Sequence, residues 1–288
     1  MNVRLLYNSD IKALEDFLAP YKSSTMFIHS NLKSAGIEYQ EAVFHGEYRG
    51  FFLDSSAYLK GLIVHYWNGN IMMCAPDLKI LSELIANLKS NLKRPIRGIL
   101  GPNIQAELVI DKLGLSNAQY SINRSEGLYE LNLSDLPELK TYPGYNMVKA
   151  KEISKDLLMG WMKDYEVEAL GAEKNLALDL RAAAKTEGLM KGDCWILVKN
   201  EVPVSLAAFN ACLEDRVQVG PVWTPPDYRN QGFAKLLLSL ILKKIRREGA
   251  KKAILFADNP PAVKVYEAIG FKIIGDYRLA LLKEPIKL

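Results

Sequence analysis

One stretch of the chain combines residue types that suit phosphate chemistry. Residues 217–235 read as a strand, then a proline-rich turn, then the start of a helix. A helix N-terminus offers unpaired backbone N–H groups and the positive end of the dipole, so it favours an anion. The turn Arg229-Asn230-Gln231-Gly232-Phe233-Ala234-Lys235 sits at that point. Gly232 lets the backbone approach a phosphate closely, Ala234 keeps the next turn slim, and Arg229 supplies a cation that can brace the loop. Arg-x-x-Gly-x-Ala taken alone is a weak pattern, and its place at a strand–turn–helix junction gives it weight. Downstream, Asn259 precedes Pro260-Pro261 and a second helical run, which suits an N-cap as well as a ligand contact. Tyr266 lies two helical turns on, sharing a face with Asn259 and Ala262. It reads as core packing or as a proton donor beside the space that the small Ala262 leaves.

These residues need a scaffold, and the patterning supplies one. A strand is expected over 145–149, helices to about 169 and over 175–189, and strands over 194–199, 202–212 and 217–224. A long amphipathic helix follows, carrying Phe233, Leu236, Leu237, Leu240, Ile241 and Ile245. Then come a strand at 253–257, a helix at 261–269 and strands at 271–276 and 278–282. The first half echoes this order, with strands at 3–6, 42–44, 50–53, 62–74, 96–100, 118–122 and 127–131. Its helices are expected at 11–18, 26–35, 78–88 and 104–113. In both halves an Asn-x-x-Ala step (Asn103, Asn259) is followed 11 residues later by glycine (Gly114, Gly270). Matching order around matching motifs points to duplication. The fold class is α/β with a mixed sheet in each of two domains, 1–138 and 144–288, joined by a linker at 133–144.

Composition narrows the function. With 288 residues, 49% hydrophobic and 24% charged, the chain reads as globular. It has no apolar run of membrane-spanning length and no signal-peptide core, so a cytoplasmic protein is expected. Cys74, Cys194 and Cys212 are widely spaced and read as reduced core thiols. His29, His45 and His65 have no metal-ligand spacing, so no metal is expected. Residues 1–140 hold 14 Lys+Arg against 15 Asp+Glu, and the remainder 23 against 18. The basic second half suits a phosphate-bearing ligand or an ordinary surface equally. Lys243, Lys244, Arg246, Arg247, Lys251 and Lys252 cluster at a helix C-terminus, where a solvated face explains them better than nucleic acid.

Taken together, Arg229, Gly232 and Ala234, with Asn259, Tyr266, Gly270 and Phe271, resemble the GNAT superfamily of N-acetyltransferases. The resemblance covers about 145–288, and the matching plan of the first half suggests a tandem arrangement. It implies acetyl-CoA as co-substrate, held at the 229–235 turn, at Val222, Trp223 and Thr224, and at Asn259, Ala262 and Tyr266. It also implies direct transfer to a primary amine, small molecule or peptide. Backbone N–H groups at 222–224 would polarise the thioester, and Tyr266 would be the acid for the departing thiolate. Glu166 or Glu168 would take the amine's proton, although each also reads as a solvated helix face. Trp161 and Tyr165 read as core or as acceptor-pocket lining. At the position facing the loop the first half has Met73-Cys74-Ala75-Pro76-Asp77-Leu78, with no arginine or glycine, and Ile110 replaces the tyrosine. That copy is expected not to bind coenzyme. A non-catalytic acyl-CoA sensor or partner-binding protein is the alternative on the same fold.

Overall fold

A computed structural model describes residues 2–53, 58–138 and 143–288, so 139–142 of the expected linker lie outside the described residues. The chain divides into two compact units, Met1–Leu128 with Gly275–Leu288, and Tyr129–Ile274.

In the first unit the strands β1 (Val3–Leu5), β2 (Gly46–Phe52), β3 (Leu59–Tyr66), β4 (Asn70–Cys74) and β5 (Ile96–Pro102) neighbour one another in that order. All these pairs are antiparallel except β4–β5, which is parallel. Its helices are α1 (Ile11–Leu18), α2 (Met26–Ala35), α3 (Leu78–Lys89) and α4 (Asn103–Lys112). The apolar stripe Leu81, Leu84, Ile85 and Leu88 of α3 packs on Ile63, Ile71, Met73, Ile96 and Ile99. Residues 42–44, expected as a strand, form a turn with Phe44 at φ +72°. The single run expected over 62–74 is two strands, because Asn68 and Gly69 (φ +80°) turn the chain between them.

The second unit runs β6 (Tyr120–Asn132, entering from the first unit at Tyr129), β11 (Lys252–Ala257), β10 (Arg216–Trp223), β9 (Val202–Cys212), β8 (Cys194–Lys199) and β7 (Tyr145–Lys149). Two cores flank this sheet. On one face α7 (Phe233–Arg247) and α8 (Pro260–Ile269) cover Val217, Val219 and Leu255. On the other, α5 (Lys155–Leu170) and α6 (Leu176–Lys191) cover Ile196, Leu206 and Trp223. Leu133 and Leu136, expected in the linker, are buried in the first of these cores.

The last strand, β12 (Lys272–Ile286), was expected as two strands belonging to the second half. It is continuous, and from Gly275 onward it belongs to the first unit. Tyr277–Leu281 pair antiparallel with β5, and Ala280 and Leu282 join the α3 core. The division therefore differs from the expected split at 138/144, since strand pairing is set by which edge needs a partner and not by position in the chain.

Candidate functional site

The site forms where two parallel strands part. β10 and β11 pair only through Arg216–Lys252, Val217–Ala253 and Gln218–Ile254. Beyond Gln218, β10 shifts register against β9 through an irregular stretch at Val219–Val222 and continues to Trp223 without β11. Bulges of this kind re-aim a strand end. Ser205, fully buried, fixes that end: its Oγ donates to the Trp223 carbonyl at 3.2 Å and lies 2.9 Å from Thr224 Oγ1. Ser205 was missed in the sequence; a lone hydroxyl inside the run Val202–Cys212 was its only sign.

The turn after β10 leads into α7 with two left-handed residues, Asn230 at φ +59° and Gly232 at φ +78°. Gly232 is the N-cap of α7 and provides no side-chain cap. A Cβ built on it would meet nothing within 4 Å, so the glycine serves its backbone angle and open space, not packing. The N–H groups of the first turn have no intrahelical acceptor, and here they border that space. Gln231 ties the loop down through Nε2 to the Asp227 carbonyl at 3.2 Å. Phe233 anchors the helix start in the core, while Ala234 is half-buried and Lys235 exposed.

Arg229 braces more than it reaches. Its Nε donates to the Thr224 carbonyl at 2.9 Å, and its guanidinium packs over the Trp223 ring at 4.9 Å. Both terminal nitrogens hold Glu168, at 2.7 and 2.9 Å. Glu168 thus ties α5 to the turn. Glu166, expected near the same place, is buried and receives Lys185 at 3.1 Å and Arg181 at 3.3 Å. Both glutamates lie in the last turns of α5, not in the connection to α6. Lys185 also packs over the Tyr165 ring, which meets Trp223 edge-on at 6.2 Å. Trp161 is core.

The other face of β10 holds the remaining candidates. Tyr266 is 9% exposed, packs edge-on to Phe271 at 6.1 Å, and shares a cluster with Phe233, with Val222 and Ala262 at its margin. Asn259 caps α8 through Oδ1 to the Ala262 N–H at 3.4 Å. The sheet therefore brings Val222, Phe233, Ala262 and Tyr266 together on one face, and Trp223, Arg229, Glu166 and Glu168 on the other.

Among the described residues no metal-binding group of His, Cys, Asp and Glu is present, and no helix is long and apolar enough to cross a membrane. Cys74 and Cys194 are buried and their thiols are pushed up to about 12 by burial. Cys212, expected in the core, is exposed, and its thiol is raised to about 11 by partial burial and by Asp193. None is poised as a nucleophile at neutral pH. Three of the six residues of the basic cluster are paired: Lys243 with Glu138 and Lys244 with Glu248 on α7, and Lys252 of β11 with Glu130.

Strands that part beside an uncapped helix N-terminus leave unpaired N–H groups that suit an anion. Residues 156–271 match the family model of the acetyltransferase (GNAT) family. Mycothiol acetyltransferase of Corynebacterium aurimucosum is 41% identical over 69 residues, a match spanning 22% of this chain and 23% of that one. A Drosophila protein of known structure is similar at a TM-score of 0.64, with 12% identity over 98% of each chain. A GCN5-related N-acetyltransferase from Sphaerobacter thermophilus is similar at 0.59, with 12% identity over 99% of this chain and 97% of that one. At these identities the structural likeness is one of fold, and it extends through both units.

Proposed function

We propose that the protein is an acetyl-CoA-dependent N-acetyltransferase with one coenzyme site, in the Tyr129–Ile274 unit. The observation that carries this reading is the uncapped start of α7 at Gly232, open above the glycine and beside the parting of β10 from β11. The first-turn N–H groups would hold the pyrophosphate, with Asn230 to Lys235 forming the cradle. Backbone N–H groups at Val222–Thr224, steadied by Ser205, would polarise the acyl carbonyl. Tyr266, on the α8 face, would hold the proton for the departing sulfur, with Asn259 and Ala262 shaping the wall beside it. A primary amine, from a small molecule or a peptide, would enter from the α5–α6 side.

Arg229 and Glu168 fit a positioning role here. The pair fastens the turn to α5 while the guanidinium leans on Trp223, so the cradle is rigid before a ligand arrives. Glu166 spends both its oxygens on α6 cations. Neither glutamate is free in this state to accept the amine's proton, which therefore leaves through solvent. The two-domain plan supports a tandem arrangement in which the first copy no longer binds coenzyme.

A free-thiol release assay with acetyl-CoA across amines, amino acids, polyamines and peptides tests the reading. Acceptor-dependent release is expected. Coenzyme binding without release for any acceptor would leave the sensor reading in its place.

A further inference from the structure

The first unit buries a group of charges that the proposed reaction does not use. Register puts Glu47 of β2 across from His65 of β3, with Arg49 two residues along the same face. Glu47 is 6% exposed, and three cations converge on it: Arg94 at 3.3 Å, Arg49 at 3.6 Å and Lys93 at 3.9 Å. Arg94 Nη2 also donates to the His65 carbonyl at 2.8 Å, and its guanidinium packs on the Tyr39 ring at 4.1 Å. Among the described residues no second carboxylate pairs with these cations. Arg49 is 3% exposed, yet its Nη1 has no hydrogen-bond partner. Arg94 Nε is buried and unpartnered too, and the buried His65 ring lies beside the backbone of Pro95 and Gly69. Buried cations are normally paired, and their donors spent, because the desolvation cost is otherwise unopposed. Burial, with Arg94 and Arg49 nearby, lowers the His65 pKa to about 4 against the opposing backbone of Pro95 and Gly69, so the ring is neutral at neutral pH and reports on the charges around it.

We propose that Arg49 and Arg94, beside His65, form an oxyanion-binding site in the first unit, taking a phosphate or carboxylate group, with Glu47 orienting the two guanidiniums. One carboxylate among three cations leaves the charge for an anion, and the unspent donors leave the hydrogen bonds. Lys93, whose side chain is 75% exposed, is the outermost of the three cations. Every residue involved lies in the first unit, so this site stands or falls separately from the coenzyme site of the second.

The chain has three histidines, so imidazole NMR of the full-length protein can follow this place alone, with the His65 resonance identified by its loss in His65→Gln. Inorganic phosphate and acetate are titrated separately. A saturable movement of the His65 resonance is expected with at least one of them, and the one that acts names the ligand class. The Arg94→Gln variant, altered at the cluster's outer side, should weaken that response about tenfold, as loss of a charged hydrogen bond does. Arg49→Met, if it folds, should weaken it as much. Phosphate held only at the α7 N-terminus would leave His65 unmoved and overturn the proposal. So would an unmoved resonance with both anions at roughly 50 mM, well above millimolar affinity, or an unchanged response in Arg94→Gln.

Discussion

Helices α3 and α7 each follow a strand that leaves its parallel neighbour, and they begin differently. In the first unit β4 and β5 pair through Asn70–Gly98, Ile71–Ile99 and Met72–Leu100, then part. The parting is filled: a Cβ on Gly101 would collide with Met73 Sδ, and Gln105 Oε1 takes the Ala75 N–H at 2.8 Å. Helix α3 is then capped by Asp77, whose carboxylate accepts from the Lys79 N–H at 2.8 Å. In the second unit the equivalent helix starts at Gly232, uncapped and open. The asparagines diverge in the same way. Asn103 is held by Arg278 at 2.9 Å and Glu107 at 3.2 Å, while Asn259 caps only its own helix. A helix N-terminus binds an anion only where the protein has not already supplied one, and α3 carries its own.

That contrast can be pressed at several points. The largest effect is expected at Tyr266→Phe. If Tyr266 is the acid of the second unit, turnover falls by about two orders of magnitude, within the usual range for general acid catalysis. Coenzyme affinity measured by calorimetry stays nearly constant, and an undiminished rate removes the tyrosine from the chemistry.

Next in size is an effect confined to the first unit, which buries His65 among the cations around Glu47. His65 has a folded pKa near 4, depressed mainly by burial. Its unfolded form takes up a proton as the pH falls through about 6.5, while the native form does not. Stability is therefore complete above that value and declines between pH 6.5 and 4, by up to about 3 kcal/mol. Chemical unfolding at pH 7 and pH 4.5 should show this loss, and His65→Gln should reduce it. An equal loss in the variant would place the acid sensitivity elsewhere.

A smaller change is expected from Arg229→Ala, which releases Glu168, Thr224 and Trp223 together. Coenzyme affinity should fall about tenfold, the scale of one lost charged hydrogen bond. A fall of several hundredfold would instead make the guanidinium a direct phosphate ligand. The smallest effect belongs to Asp77→Ala, which removes the α3 cap at a cost of about 1 kcal/mol in thermal unfolding. It should not create a second coenzyme site, because Met73 and Gln105 still fill the parting. A second site appearing in that variant would show that the cap alone closes the first unit.

The α7 turn was legible in the sequence because its geometry is local. Arg229, Gly232 and Ala234 fall within six residues, and their backbone angles follow from residue type. The strand–turn–helix frame around them was legible for the same reason, through hydrophobic period. Long-range partners were not. Glu168 meets Arg229 across 61 residues, and nothing in either neighbourhood specifies the pair. Glu166 read as solvated because it lies among charges, yet two cations of α6 allow its burial. The continuity of β12 was missed at Tyr277, left between the strands expected at 271–276 and 278–282, and its membership of the first unit depends on the free edge of β5. Asp77 was noted only as part of a segment without arginine or glycine, and its capping of α3 was not read from the sequence.

Isothermal titration of acetyl-CoA into the full-length protein and into Gly232→Glu tests the central contrast most directly. The account predicts one site per chain in the natural protein and none in the variant, where a carboxylate is placed at the α7 N-terminus as Asp77 is at α3. The added Cβ meets no atom within 4 Å, and the left-handed angle at 232 costs the variant about 1–2 kcal/mol, so far-UV circular dichroism should still be that of the folded protein. Two sites in the natural protein, or full binding in the folded variant, would contradict it.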